Sequence, residues 1–358
     1  MLIKSVTLKN YRNYSERTVF FKDGLNVIVG ENATGKTNLV ESIYCCAIGK
    51  SPRTNKYKEL IKWKEKYAYI KVVFSKKGRD YTIEFSIDDS DKKRILVDSI
   101  PLTRIGELLG ELNVVYFSPD EMKLIKESPQ ERRKFIDISL SQQNKNYFYS
   151  LGNYNNILAQ RNKLLKTVFD TNRLKDALFA WDRQLVKYGA YILEKRFEFV
   201  DKIKEYAREI HFFLTDNKEE LQLEYESFST HQTREEIEKN FLSALEENLE
   251  KDIKLQYTSV GLHRDDMSIS ANGIDIRKFG SQGQQRTAAL SLTLAEIEFF
   301  KSEIGEKPVL LLDDVLSELD EKRRAKLMEL SQGMQTIITC TDFNMTLSHN
   351  TIRTKTQC

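Results

Sequence analysis

The stretch LNVIVGENATGKTNLVESIY, Leu25 to Tyr44, decides the fold. Its first five residues are apolar-rich and read as a short buried strand, and the residues after Thr37 read as a helix. Between them, Gly30 to Thr37 matches G-x-x-x-x-G-K-[ST]. That motif needs a strand before it and a helix after it, and this sequence supplies both. Glycines let successive N–H groups turn inward around phosphate oxygens, and the helix N-terminus adds favourable partial charge. The candidate nucleotide site is therefore Gly30, Glu31, Asn32, Ala33, Thr34, Gly35, Lys36 and Thr37, followed by Asn38. Lys36 is expected to reach the β- and γ-phosphates, and the Thr37 hydroxyl to ligate Mg²⁺.

Outward from this loop, VLLLDDVLSELD, Val309 to Asp320, supplies a second part. A buried strand ending in an acid can face the phosphate loop, so Asp313 is expected to hold Mg²⁺, directly or through water. Asp314 is the neighbouring carboxylate that can polarise an attacking water. Read alone, such an acid pair also caps helices. Small-molecule kinases and GTPases carry the same two parts, so a third is needed to separate the classes.

The third is FGSQGQQR, Phe279 to Arg286, followed by the helical pattern TAALSLTLAEIEFF. It holds no acid, cysteine or histidine, so it offers neither a metal site nor a nucleophile with a base. Upstream of LLLDD and SELD, it resembles the signature and D-loop arrangement of ATP-binding-cassette ATPases. That resemblance implies that Ser281, the backbone around Gly283 and the following helix N-terminus contact the γ-phosphate of an ATP held by a second copy. Hydrogen bonds of this kind need no side-chain charge.

The rest of the chain organises around these parts. LIKSVTLKN, RTVFF, YAYIKVVFS, RDYTIEFSI and RILVDSI read as β-strands, the last three antiparallel, and ELNVVYFSPDE as a further strand ending at Pro119. From about Glu131 the period becomes helical. Tyr147, Leu151, Tyr154, Leu158, Leu165 and Val168 form one stripe, with Arg161 at a skipped position. Leu178, Trp181, Leu185, Tyr188, Ile192, Phe199, Ile203, Tyr206, Ile210 and Phe213 form a second, with Arg196 at its gap. Joined by the turn FDTNRLK, they predict an antiparallel helical arm of two helices of roughly 35–40 residues. Strand character is expected again at IKLQYTSVG, and Asn272-Gly273 suits a two-residue type I′ hairpin turn. The expected architecture is an α/β P-loop ATPase head with an antiparallel-β N-lobe and an inserted helical hairpin. The head spans 1–130 and 255–358 and the arm 131–254.

Bulk properties narrow the class. A 358-residue chain with 40% hydrophobic and 30% charged residues can build a substantial core. A net charge of +3 is too mild to argue for nucleic acid by itself. Cys45, Cys46, Cys340 and Cys358 show no C-x-x-C spacing, which fits a reducing cytosol rather than a disulfide or zinc framework. Lysine and arginine interrupt the N-terminal apolar run, and no stretch approaches 18 apolar residues, so the expectation is cytoplasmic with no membrane.

The match then narrows further. LKNYRNY, GENATGKTNLVESIY, FSPDEMKLIKESPQERRKFID, GLHRDDMSI, SQGQQR and LLLDDVLSELD occur in that order. Together they resemble the RecF family of bacterial DNA replication and repair ATPases, from residue 2 to about 345. The resemblance implies a head related to Rad50 and SMC proteins, with an ATP-bridged homodimer. It also implies weak DNA-stimulated ATP hydrolysis and binding of double-stranded DNA, including single-strand/double-strand junctions. RecR and RecO are the implied partners; RecA loading and SOS support are the implied roles. Arg12 and Asn13 match an N-terminal element near the nucleotide in related heads. Asp314 is one methylene shorter than the glutamate many transport ATPases use. Thr341 stands near their switch histidine, and YFSPDE occupies the region of their N-lobe glutamine.

Basic clusters supply candidate DNA contacts: Lys50, Arg53, Lys56 and Lys58 after the phosphate-loop helix, and Arg132 and Arg133 in QERRKF. Such groups neutralise phosphates without base readout, though each cluster also reads as a solvated face. A transporter subunit fits neither the helical pair nor the antiparallel-rich N-lobe. A Rad50- or SMC-type chromosome-maintenance ATPase needs a far longer coiled coil.

Overall fold

A computed structural model describes residues 1–168, 171–230, 233–343 and 348–354, the side chains of 171 and 172 excepted. The expected turn at FDTNRLK falls partly on Phe169 and Asp170, and Cys358 on the C-terminus; these lie outside the described residues. The chain divides into two compact units. One comprises Met1–Glu121, Ile210–Asn217 and Ala289–Cys358; the other Met122–Glu209 and Lys218–Ala288.

The first unit holds two sheets. The antiparallel one contains β1 (Leu2–Tyr11), β2 (Tyr14–Phe20), β4 (Tyr67–Lys76), β5 (Arg79–Asp88), β6 (Lys93–Val97) and β7 (Ile100–Pro101), in the order β2-β1-β4-β5-β6-β7. Alternation along β4 turns Ala68, Ile70, Val72 and Phe74 to the core, as a half-buried strand requires. The other sheet is parallel: β14 (Asn350–Arg353), β3 (Leu25–Val29), β13 (Thr336–Cys340), β12 (Val309–Asp313) and β8 (Val114–Phe117), in that order. Its central strands β12 and β13 are buried at every residue, as expected for strands covered on both faces. Helix α1 (Lys36–Ile48) follows β3, and α10 (Glu321–Leu330) links β12 to β13.

The second unit is mostly helical: α2 (Lys123–Lys126), α3 (Pro129–Gln143), α4 (Lys145–Thr167), most of α5 (Thr171–Leu214), α6 (Arg234–Glu247) and α7 (Leu249–Leu255). A small sheet, β11-β10-β9, is built from β9 (Leu221–Glu226), β10 (Asp266–Ala271) and β11 (Ile274–Asp275). Short α8 (Ile276–Phe279) leads into α9 (Gln282–Ile304). The chain passes between units within α5 and again within α9.

Several expectations are corrected here. The first long helix is broken at Asn144, whose extended backbone and side chain cap α4 by accepting the Tyr147 N–H at 3.0 Å. The pair is therefore a 23-residue α4 against a 44-residue α5, about 35 and 66 Å long. IKLQYTSVG is not a strand: Ile253 to Leu255 close α7. Residues 255–288, read as head, group with the helical unit because β10 hydrogen-bonds along β9 from Asp266↔Glu226 to Ala271↔Leu221. The Asn272-Gly273 hairpin forms as expected, both residues left-handed at φ 50° and 77°.

The arginines at the gaps in the helical stripes are buried. Arg161 donates to Asp182 and Asp252, both at 2.7 Å, and to Thr258 at 2.8 Å. Arg196 donates to Asp137 at 2.9 Å, to the Tyr147 and Tyr225 hydroxyls at 3.1 and 3.0 Å, and to the Leu262 carbonyl at 3.1 Å. The GLHRDD stretch closes this network. Asp265 accepts from Tyr225 at 2.9 Å, and His263 bridges the Tyr154 hydroxyl and the Thr258 carbonyl. Gly261, at φ 124°, leaves no space for a Cβ, which would meet the Tyr154 hydroxyl at 2.7 Å.

Candidate nucleotide site

In the parallel sheet β13 lies between β3 and β12, so the carboxyl ends of all three open on one edge. Ligands bind at such edges in open α/β sheets. The phosphate loop leaves β3 there. Helix α1 begins after Gly35 with no capping side chain and no acid in its first turn. The first N–H groups of a helix have no intrahelical acceptor, so this end suits an anion. Lys36 is only 7% exposed; its ammonium lies across the loop, donating to the Gly30 and Glu31 carbonyls at 2.7 and 2.9 Å. Glu31, Asn32 and Ala33 form the exposed lip, with Ala33 left-handed at φ 65°. The Thr34 hydroxyl donates to the Glu31 carbonyl at 2.8 Å and meets that of Thr354, after β14, at 2.6 Å.

The N-terminal element braces this loop. The Tyr14 hydroxyl donates to the Gly35 carbonyl at 3.0 Å, and the Asn13 side-chain Oδ1 accepts from the Asn38 side-chain amide at 2.9 Å. Gly35 sits at φ 101°, and a Cβ there would meet Asn13 at 2.7 Å, so only glycine fits. Arg12 clamps α1: its guanidinium forks onto Glu41 at 2.9 and 2.6 Å and donates to the Glu59 carbonyl at 2.8 Å. Glu41 is wholly buried and also accepts from Ser51 at 2.6 Å. Sequence reasoning missed Glu41; an acid on the apolar face of α1 was the available signal.

The acids at the β12 end divide by environment. Asp313 is buried and accepts from Thr37 at 3.0 Å, from Thr339 at 2.7 Å and from the Tyr116 hydroxyl at 3.4 Å. Burial pushes its carboxyl upward from the usual range; the Thr339 and Thr37 hydroxyls oppose that shift. Asp314 is exposed and left-handed at φ 54°. Its N–H donates to the same Thr339 hydroxyl at 2.9 Å. Thr339, on the central strand, thus sets both acids. The sequence reading reached only Thr341, an exposed residue past the strand end. Tyr116 gives YFSPDE its contact with the site.

These residues fit a nucleotide with Mg²⁺. An oxygen pair, Thr37 and Asp313, stands at the loop's helix start, with a buried ammonium beside it. This is the hard-oxygen donor set that Mg²⁺ takes alongside phosphates.

Ser281 and Gly283 lie in the second unit, exposed at the start of α9. Ser281 and Gln284 cap each other reciprocally. The Gln284 N–H donates to the Ser281 hydroxyl at 3.2 Å, and the Ser281 N–H to the Gln284 side chain at 2.9 Å. A Cβ at Gly283 would meet the Ser281 hydroxyl at 4.0 Å, an ordinary contact.

Among the DNA candidates, Lys50, Arg53, Lys56 and Lys58 are exposed, with Arg53 donating to Asn38 at 3.1 Å. Arg132 is corrected, while Arg133 is half-buried. Arg132 is 2% exposed and forks onto Asp266 at 2.6 and 3.0 Å, and Arg133 donates to the Asp265 carbonyl. The pattern QERRKF cannot show that its arginines meet the acids of GLHRDD, over 130 residues away.

A phosphate loop, a strand-end Asp313 and a serine-capped helix on this mixed architecture define an ATP-binding-cassette-type ATPase head of the SMC kind. A family model described as the RecF/RecN/SMC N-terminal domain matches residues 2–357. The DNA replication and repair protein RecF of Lachnoclostridium phytofermentans is 44% identical over 341 residues, covering 95% of this chain and 93% of that one. RecF of Clostridium botulinum is 46% identical over 344 residues, covering 96% and 94%. A solved structure of the recombination mediator protein RecF with ATP, in the RecFOR pathway, aligns at TM-score 0.89 and 38% identity, covering 96% and 92%. The Smc head of Pyrococcus furiosus shares the fold at TM-score 0.56 and 20% identity, covering 95% and 90%. The chain belongs to the RecF family.

Proposed function

We propose that this protein is an ATP-driven DNA-binding switch of recombinational repair and replication-fork maintenance. The observation that carries the reading is the convergence of Thr37, Asp313 and Thr339 beside Lys36 at the parallel-sheet edge. In this reading Gly30 to Asn38 cradle the phosphates and Lys36 neutralises the β- and γ-oxygens. Thr37 and Asp313 would hold Mg²⁺, which supplies charge neutralisation. Asp314 orients a water: the water oxygen bonds to the γ-phosphorus, the bond to the β–γ bridging oxygen breaks, ADP leaves with that electron pair, and the water's excess proton passes through the released phosphate to solvent. The shorter Asp314 holds that water loosely, which suits a weak, DNA-stimulated ATPase. Ser281 and Gly283 serve the ATP of a second copy, giving an ATP-dependent homodimer. The dimer binds double-stranded DNA and junctions, with Lys50, Arg53, Lys56 and Lys58 neutralising phosphates. RecR and RecO act with it to load RecA and support the SOS response, in the cytoplasm.

The deciding experiment is sizing of the purified protein with no nucleotide, ADP or a non-hydrolysable ATP analogue, with and without duplex DNA. A dimer only with the ATP analogue, retaining DNA, is expected. A full hydrolysis rate from isolated monomers at high dilution would overturn the reading.

A further inference from the structure

Trp63 is 85% exposed. A bare indole normally marks a contact, because its apolar area is large. It stands in a tight turn: the Glu65 N–H donates to the Lys62 carbonyl at 3.0 Å, and Lys64 is left-handed at φ 70°. A left-handed lysine is strained, and glycine or asparagine would be the relaxed choice. The turn is held by its base. The Lys62 N–H donates to the Asn10 carbonyl at 2.9 Å, the Arg12 N–H to the Leu60 carbonyl at 2.8 Å, and Ile61 bridges Tyr11. The Lys62 ammonium donates to Ser15. The indole is thus presented from an anchored loop rather than a loose one.

Its surroundings identify the partner. Lys64 and Lys66 are exposed beside it, and Lys56 and Lys58 lie earlier in the same segment. Residues 51–67 hold six cations against two exposed acids, Glu59, which accepts from Thr54 at 2.6 Å, and Glu65, which accepts from Asn10 at 3.3 Å, so positive charge prevails. An aromatic face among outward cations suits a polyanion with flat apolar groups. Protein-binding anchors sit among other apolar side chains, and the residues on either side of Trp63 are charged. We propose that Trp63 is a stacking platform for an unpaired nucleobase, so that the chain holds single-stranded DNA beside the duplex its lysines grip. The inference rests on the DNA-binding reading above and adds a base-stacking residue to it.

The chain has two tryptophans, Trp63 and Trp181, so Trp181→Phe leaves Trp63 as the sole indole reporter. With a non-hydrolysable ATP analogue, a duplex carrying a single-stranded overhang should quench its fluorescence, and a blunt duplex should do so far less. Trp63→Ala should weaken overhang binding by about tenfold to a hundredfold, while Trp63→Phe keeps most of the affinity. Blunt-duplex affinity should be nearly equal in all three. Equal overhang affinity in Trp63→Ala and the parent would overturn the proposal. So would quenching by the ATP analogue alone without DNA, which would make this face a contact between copies. If no DNA binds under any nucleotide condition, the DNA-binding reading itself fails; duplex binding with a silent Trp63 sinks only the stacking site.

Discussion

The phosphate loop and the signature turn, two polar glycine-bearing segments, are finished in opposite ways. Around Lys36 the bracing comes from within the first unit: Tyr14 holds Gly35, Asn13 holds Asn38, Arg12 holds α1 through Glu41, and Thr354 meets Thr34. Around Ser281 the bracing runs through Gln284, whose side chain also donates to Glu219 at 3.0 Å. Gln284 closes the helix end, and Ser281, Gln282 and Gly283 face solvent. A site that is complete in one chain can bind alone. A turn that satisfies itself and faces solvent suits the proposed contact with a group brought by a second copy.

The contrast can be broken most forcefully at Lys36. Lys36→Met should lower ATP binding or hydrolysis by roughly 10³-fold, with an unchanged circular dichroism spectrum; retained binding by calorimetry would dissolve the distinction. Ser281→Arg should leave monomer ATP binding intact while cutting hydrolysis about 10²-fold and abolishing the ATP-dependent dimer in sizing. Loss of monomer binding would make both segments parts of one cis site. Arg196→Met should destabilise the second unit by about 3–5 kcal/mol in urea unfolding, because buried Asp265 and half-buried Asp137 would lose their cation.

A fourth test uses pH. Burial pushes His263 down from 6.5 to about 4. The unfolded chain therefore binds the extra proton first as pH falls, so stability is full above pH 6.5 and drains between 6.5 and 4. The loss attributable to His263 is roughly 3 kcal/mol, read as the difference in pH slope between the parent and His263→Gln. The smallest effect is expected at the signature turn. Gln284→Ala removes half of the reciprocal cap and should cost about 1 kcal/mol with ATP binding by the monomer untouched.

What the sequence disclosed follows from how local each signal is. The phosphate loop, Asp313 and the Asn272-Gly273 turn are each specified within a dozen residues, and all three stand in the strand, loop or turn contexts expected of them. Thr339 was invisible because its role arises from strand order: β13 lies beside β12, which precedes it by more than 20 residues. Arg161, Arg196 and Arg132 read as polar interruptions or basic faces because their acidic partners are distant in sequence. The break at Asn144 was hidden because the apolar period runs on past a residue whose cap depends on one side-chain rotation. Phase alone therefore overestimated the first helix and missed β9, a short strand inside a helical stretch.

Arg12 joins two of the features above in a single residue. Its guanidinium grips α1 through Glu41, and its backbone N–H holds the base of the Trp63 turn. Whatever free energy ATP lends to the grip on DNA through this joint, DNA must return to the grip on ATP in equal measure, since linkage between two ligands is symmetric. A chain lacking the Arg12 guanidinium could keep both affinities and still lose the conversation between them.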